Sequence, residues 1–156
     1  MKKLTLLLTL GFLTIANAIY ASSLGVASVN VYGSGAGTYV FVASGTGGCY
    51  QLRTNDGNCG TVDNLDDVED IKTVVLVAVS GYGTFRSSCY LTVPAGYTAS
   101  VVYNSSSSSS TVTIGSTKYQ ATNGTLTLSP GTYCLATSSS TSGNSSTASI
   151  QVLLTE

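Results

Sequence analysis

The most reactive side chains in this sequence are four cysteines, Cys49, Cys59, Cys89 and Cys134. Thiolates either bind metals or oxidise to disulfides. The spacings make no paired C-x-x-C knuckles, and the chain has no histidine to complete a zinc set. An even number of cysteines among predicted strands points to two disulfides in an exported chain. Three connectivities are open. The preferred one joins Cys49 to Cys59, closing a hairpin, and Cys89 to Cys134, linking distant strands. The second bridge closes the longer loop, so the chain-entropy model gives it the larger stabilisation, on the order of 4 kcal/mol.

Carboxylates come next. Six of the seven acidic residues lie between Asp56 and Asp70. Asp63, Asp66, Asp67, Glu69 and Asp70 form a candidate Ca²⁺ cluster, since calcium takes carboxylate and carbonyl oxygens. The cluster lacks the ligand ladder and glycine of an EF-hand, and a solvated acidic loop is the plain alternative. Paired carboxylates also serve glycoside hydrolysis. Here one short loop holds them all, and nothing places one of them in an apolar pocket. No catalytic constellation and no cofactor motif is present, so neither enzyme activity nor a cofactor is expected.

Three sequons follow: Asn104-Ser105-Ser106, Asn123-Gly124-Thr125 and Asn144-Ser145-Ser146. Each falls in a predicted loop or turn, and each is a glycan acceptor if the chain is exported. Ten tyrosines could build a sugar-stacking platform. Most fall within strands, where packing is the simpler role, and tryptophan is missing.

Charge is scarce, at 8% of residues. Basic residues after Lys3 are single and scattered, at Arg53, Lys72, Arg86 and Lys118. That excludes a basic nucleic-acid footprint. Few titrating groups also mean few sources of pH-dependent stability, so tolerance of wide pH swings is expected. Many Val, Thr and Tyr residues separate the chain from disordered sequences.

The N-terminus has the layout of a secretory signal: Lys2-Lys3, an apolar run from Leu4 to Ala18, and the small-x-small exit Ala16-Asn17-Ala18. Cleavage is expected after Ala18, with Ala21 as second choice. This divides the chain into a signal peptide, 1–18, and one domain, 19–156. The rival is a retained membrane anchor or pilin-type helix, because no charge occurs between Lys3 and Arg53.

The rest must be placed by strands. Predicted strands cover Val26–Tyr32, Thr38–Ala43, Cys49–Thr54, Lys72–Ser80, Thr84–Val93, Tyr97–Tyr103, Thr111–Ile114, Thr117–Ala121, Leu126–Ser129, Thr132–Thr137 and Thr147–Thr155. The run Val74–Val79 reads as a central strand covered on both faces. Asn55-Asp56-Gly57-Asn58 reads as a hairpin turn with Cys59 opening the return. Leu65, Val68 and Ile71 would share one face of a short helix. Ser105–Ser110 and Ser138–Ser146 read as polar loops. Ten or so short strands and almost no helix predict an all-β antiparallel sandwich, Ig-like or prealbumin-like, with a closed barrel as alternative.

One corner carries a more specific signal. In Leu126-Thr127-Leu128-Ser129-Pro130-Gly131-Thr132-Tyr133-Cys134-Leu135, alternating leucines meet a Pro-Gly turn and then a tyrosine. Such a tyrosine folds its hydroxyl back onto the turn backbone in Greek-key sandwiches. The run Tyr119–Leu135 resembles the end of prealbumin-like and CnaB-type surface domains. CnaB domains often carry a Lys–Asn isopeptide bond; the early mature region here has no Lys, so that bond is not expected. As a whole, the chain resembles the Ser/Thr/Tyr-rich secreted surface proteins of thermophilic archaea, which include thread-like filament subunits built by donor-strand exchange.

That resemblance implies a structural subunit of an extracellular filament or coat, partnered with copies of itself. Residues Ile19–Tyr32, apolar and uncharged, are the expected donor strand for a neighbour's open sheet; the plain alternative is pairing within their own domain. A secreted adhesin or carbohydrate-binding module meeting cell-surface glycans, and a membrane-tethered surface domain, are the alternatives.

Overall fold

The computed structural model describes residues 23–33, 37–45, 47–53, 60–61 and 68–156. The expected signal peptide, the Asn55–Asn58 turn, Cys59, Asp63, Asp66 and Asp67 lie outside the described residues. So does most of the expected short helix; its described end, Val68–Asp70, is not helical, and no helix occurs among the described residues.

Among the described residues ten strands form one sheet: β1 (Gly25–Tyr32), β2 (Tyr39–Ser44), β3 (Cys49–Arg53), β4 (Gly60–Thr61), β5 (Ile71–Val93), β6 (Thr98–Ser105), β7 (Ser110–Ile114), β8 (Thr117–Gln120), β9 (Asn123–Leu128) and β10 (Gly131–Thr155). The main path runs β4-β3-β2-β5-β10-β6-β9, with β1 on β5 and β7-β8 on β10. Pairing is antiparallel except between β3 and β4. That pair is parallel, with Tyr50 opposite Gly60, so the antiparallel return expected after Cys59 does not form.

Two strands organise everything. β5 has 23 residues and β10 has 25, and they pair along almost their whole length, from Gly131↔Val93 to Leu153↔Thr73. The sequence predicts four shorter strands here. Gly81-Tyr82-Gly83, the gap between two of the predicted strands, and the expected loop Ser138–Ser146 are both sheet, interrupted by a register shift between Ser142 and Ser146. Ser and Thr at inward positions make this stretch look like a loop. In the fold those hydroxyls satisfy one another: Ser87 bonds Thr137, and Ser139 bonds Ser146.

The shift also marks a bend. Inward positions on β5 are Val74, Leu76, Ala78 and Ser80 before it, and Ser87, Cys89, Leu91 and Val93 after it. β10 changes phase in step, from Leu135, Thr137 and Ser139 to Ser146, Ala148, Ile150, Val152 and Leu154. A straight strand of this length would separate its ends by about 70 Å. Here Leu24 donates its N–H to the carbonyl of Ile71, at the start of β5, at 2.9 Å. Its neighbour Gly25 pairs with Thr92, at the end of β5. β5 therefore doubles back, and both halves of the sheet supply one core.

The two halves are easily stated. One is β4-β3-β2, the start of β5, the end of β10, β6 and β9. The other is β1, the end of β5, the start of β10, β7 and β8. The run Val74–Val79 is central in the first half, but only its inward face is fully buried; Val75, Val77 and Val79 on the other face are half-buried. Tyr39 and Phe41, opposite Val77 and Val75 on β2, stack on each other at 5.8 Å and shield part of that face.

The turns follow their residues. Pro94-Ala95-Gly96-Tyr97 closes with Tyr97 N–H to Pro94 O, and Gly96 takes the positive φ of 85° that a type II turn requires there. Gly115 has φ 65° at the first position of the Gly115-Ser116 turn that joins β7 to β8. At the Pro-Gly corner, Tyr133 Oη donates to Ser129 O at 2.8 Å, as the sequence predicts.

Candidate functional site

The N-terminal strand is the candidate site, because it is an edge strand bonded to a single neighbour and still seats side chains on the core. β1 pairs with β5 alone, on an edge of the sheet. Its residues are exposed or half-buried throughout. Val26, Val29 and Val31 nevertheless all pack on the core. Simple alternation would put Val26 and Val29 on opposite faces. Ser28 resolves this by adopting φ 54°, and the register slips between Ala27 and Asn30. The added residue rotates the strand so that all three valines point inward.

Both ends of β1 are fixed by specific contacts. At the start, Leu24 is buried to 2% exposure. Ser23 Oγ accepts from Ile71 N–H at 2.9 Å. At the far end, Gly33 has φ 77°, and a Cβ there would meet Thr84 O at 2.7 Å and the Phe85 ring at 2.8 Å. Gly25 likewise lies against Thr92, with 3.0 Å from a would-be Cβ to that side chain. Glycine at both ends lets β1 lie closely on β5. The outward face carries Ala27, Asn30 and Tyr32, beside Tyr90, Ser88 and Arg86. The Arg86 guanidinium sits 6.0 Å from the centre of the Tyr32 ring.

Compared with known proteins, this chain matches no family model. No curated protein matches it either.

The remaining predicted residues fall in several places. Cys49 opens β3, and its expected partner Cys59 is outside the described residues. Cys89 and Cys134 are free thiols, which corrects the expected bridge between them. They lie on adjacent strands, but Cys89 faces Leu135 and Cys134 faces Tyr90 in the register. Successive side chains alternate between faces, so Cys89 points into the core and Cys134 points out. The sequence held the signal: Cys89 shares its phase with Leu91 and Val93, whereas Cys134 is out of phase with Leu135. Burial, with a smaller contribution from Cys134, pushes the Cys89 thiol up to about 12. It is therefore inert at neutral pH.

Of the acidic cluster, Glu69 and Asp70 are described. Asp70 pairs with Lys72 at 3.0 Å. No group of three or more metal-ligating side chains occurs among the described residues.

The sequons lie in strands rather than loops. Asn104 is in β6, Asn123 opens β9, and Asn144 lies in the irregular part of β10; all three are exposed. The expected flexible loop Ser105–Ser110 is a tight turn instead. Ser105 Oγ donates to Ser110 O at 2.8 Å and accepts from Ala121 N–H at 3.0 Å, and Ser105 and Ser110 are buried.

The tyrosines divide. Tyr103 and Tyr119 pack with ring centres 4.1 Å apart. Tyr32, Tyr82 and Tyr90 are exposed by 65%, 76% and 50%, more than a purely packing role requires. No helix among the described residues is long and apolar enough to cross a membrane.

Proposed function

We propose that the chain is an exported β-sandwich that serves as a structural subunit of a surface filament or coat, with β1 exchanged between copies. The single observation behind this is the seating of β1. It occupies the β5 edge with three valines on the core, yet only one strand holds it, through an irregular ladder. The same contacts serve equally when β1 comes from a second copy, because a strand added to an edge is held by backbone bonds and alternate side-chain pockets. Between β1 and β2 the sequence holds three closely spaced glycines, Gly33, Gly35 and Gly37. β1 carries no charge and no proline, and the device that blunts its edge is the bulge at Ser28. The doubled-back β5 and shared core support the sandwich reading. The export reading rests on the signal-like N-terminus.

The test is deletion of Ile19–Tyr32. The truncated chain should remain soluble at low concentration, form no filaments, and bind a synthetic peptide of residues 23–33 one to one. A truncated chain that still polymerises ends the strand-exchange reading. Finding the chain in regular filaments shed from native cells, with its N-terminus near Ile19, would support the whole proposal.

A second reading is favoured by the exposed tyrosines. Tyr32 and Tyr90, outward on the β1–β5 ladder with Arg86 beside Tyr32, offer a sugar-stacking surface for an adhesin or carbohydrate-binding module. A glycan array without hits removes that reading.

A further inference from the structure

We infer that Asn104 and Asn123 form one shared N-glycan site that carries a single glycan, with Asn123 as its principal acceptor. The inference rests on the export reading above. Asn104 and Asn123 are direct partners in the β6–β9 ladder, and both are exposed. Nineteen positions apart in sequence, they look like two independent sites. In the sheet they are one place. Directly opposite residues have Cβ atoms only about 4.5–5.5 Å apart, and their side chains stand roughly parallel on one face. Two branched sugars rooted there would contend for the same volume.

The two acceptors differ in access. Asn104 is flanked on both sides, by Asn123 on β9 and by Ser149 on β10. Asn123 begins an edge strand bonded only to β6. The sequon hydroxyls differ in the same direction. Ser106 Oγ already accepts from Thr147 N–H at 2.8 Å. Thr125 is exposed and its hydroxyl has no partner among the described residues. A transferring enzyme therefore meets a free sequon at Asn123 and an engaged one at Asn104. Val102, 52% exposed, lies on the same face two residues from Asn104, where a glycan would cover it.

The chemistry is a group transfer from an oligosaccharide held on a lipid phosphate or diphosphate carrier. The amide nitrogen of Asn forms a bond to the anomeric carbon. The bond from that carbon to the phosphate oxygen breaks, and the carrier leaves with the electron pair. The amide proton passes to a base of the transferring enzyme. Nothing is oxidised or reduced.

The experiment is intact-mass and glycopeptide mass spectrometry of the full chain from its native host, with Asn123→Gln and Asn104→Gln variants made in that host. Wild-type chains should carry one glycan increment across the two positions, on Asn123. Asn123→Gln should move it to Asn104, and Asn104→Gln should leave the mass of the glycan unchanged. Chains bearing glycans on both residues overturn the inference, as does an Asn123→Gln chain left bare at Asn104. Chains cleaved near Ala18 but bare at both positions overturn it while leaving the export reading intact. Bare chains that retain residues 1–18 overturn the export reading as well.

Discussion

The Tyr133 hydroxyl donates to the carbonyl of Ser129 at 2.8 Å, spanning the Pro130-Gly131 corner that joins β9 to β10. The bond holds the edge strand β9 to the start of the 25-residue strand β10. Tyr133→Phe removes only that donor and leaves the half-buried ring in place. The expected cost is about 1 kcal/mol, the usual net value of one such bond. Thermal or urea unfolding of the variant beside the parent chain measures it.

The thiols offer a separate check. Cys134 should react with a maleimide or with Ellman's reagent in the native protein. Cys89 should react only when the chain unfolds, because it is buried and stays protonated. Fast modification of both in the native state would contradict the opposite-face arrangement.

Cys89 also predicts a pH dependence. Its folded-state value is about 12 against an ordinary 9.0. Above pH 9 the unfolded chain therefore loses this proton while the folded chain keeps it. Stability should fall as pH rises from about 9 to about 12, by up to about 4 kcal/mol from this group. Below pH 9 the thiol is protonated in both states and contributes no slope. Denaturant titrations of the parent and of Cys89→Ala, compared across this range, isolate the effect from the tyrosines.

Gly124 lies beneath Tyr103 in the β6–β9 ladder. A Cβ there would come within 2.5 Å of the Tyr103 hydroxyl and 2.8 Å of its ring. That ring is 9% exposed and packed on Tyr119, so it has little room to move. Gly124→Ala should destabilise by about 1–3 kcal/mol through overpacking. Equal stability of the two proteins would show that Tyr103 can step aside.

Ser105→Ala should be costly for a different reason. The hydroxyl accepts from the Ala121 N–H and donates to the Ser110 carbonyl, within a turn that is otherwise all serine. Its loss leaves the Ala121 donor without that partner, at a cost of about 1–3 kcal/mol. Increased amide exchange at Ala121 would place the damage at that bond.

Much of this fold is legible in the sequence because local chemistry decides it. Ala148, Ile150, Val152 and Leu154 alternate cleanly and are all inward. Gly96 and Gly115 sit where their turns need positive φ. The long strands were less legible. Ser139, Ser146, Ser87 and Thr137 are inward positions filled by hydroxyls, and periodicity counts only apolar residues. The pairing of those hydroxyls is a property of the register, which sequence distance does not reveal. The same limit hid the meeting of Asn104 with Asn123. It also let Cys89 and Cys134 be read as a bridged pair, although the phase of their apolar neighbours puts them on opposite faces.

β5 and β10 each belong to both halves of the sheet. Among the described residues both halves therefore hang on one β5–β10 pair, so neither half should melt while the other survives. Opening near Ser80 and Ser146 would break the ladder that both halves share. The protein should then lose its slowest-exchanging amides together, as one cooperative unit, with only the outer strands able to open on their own.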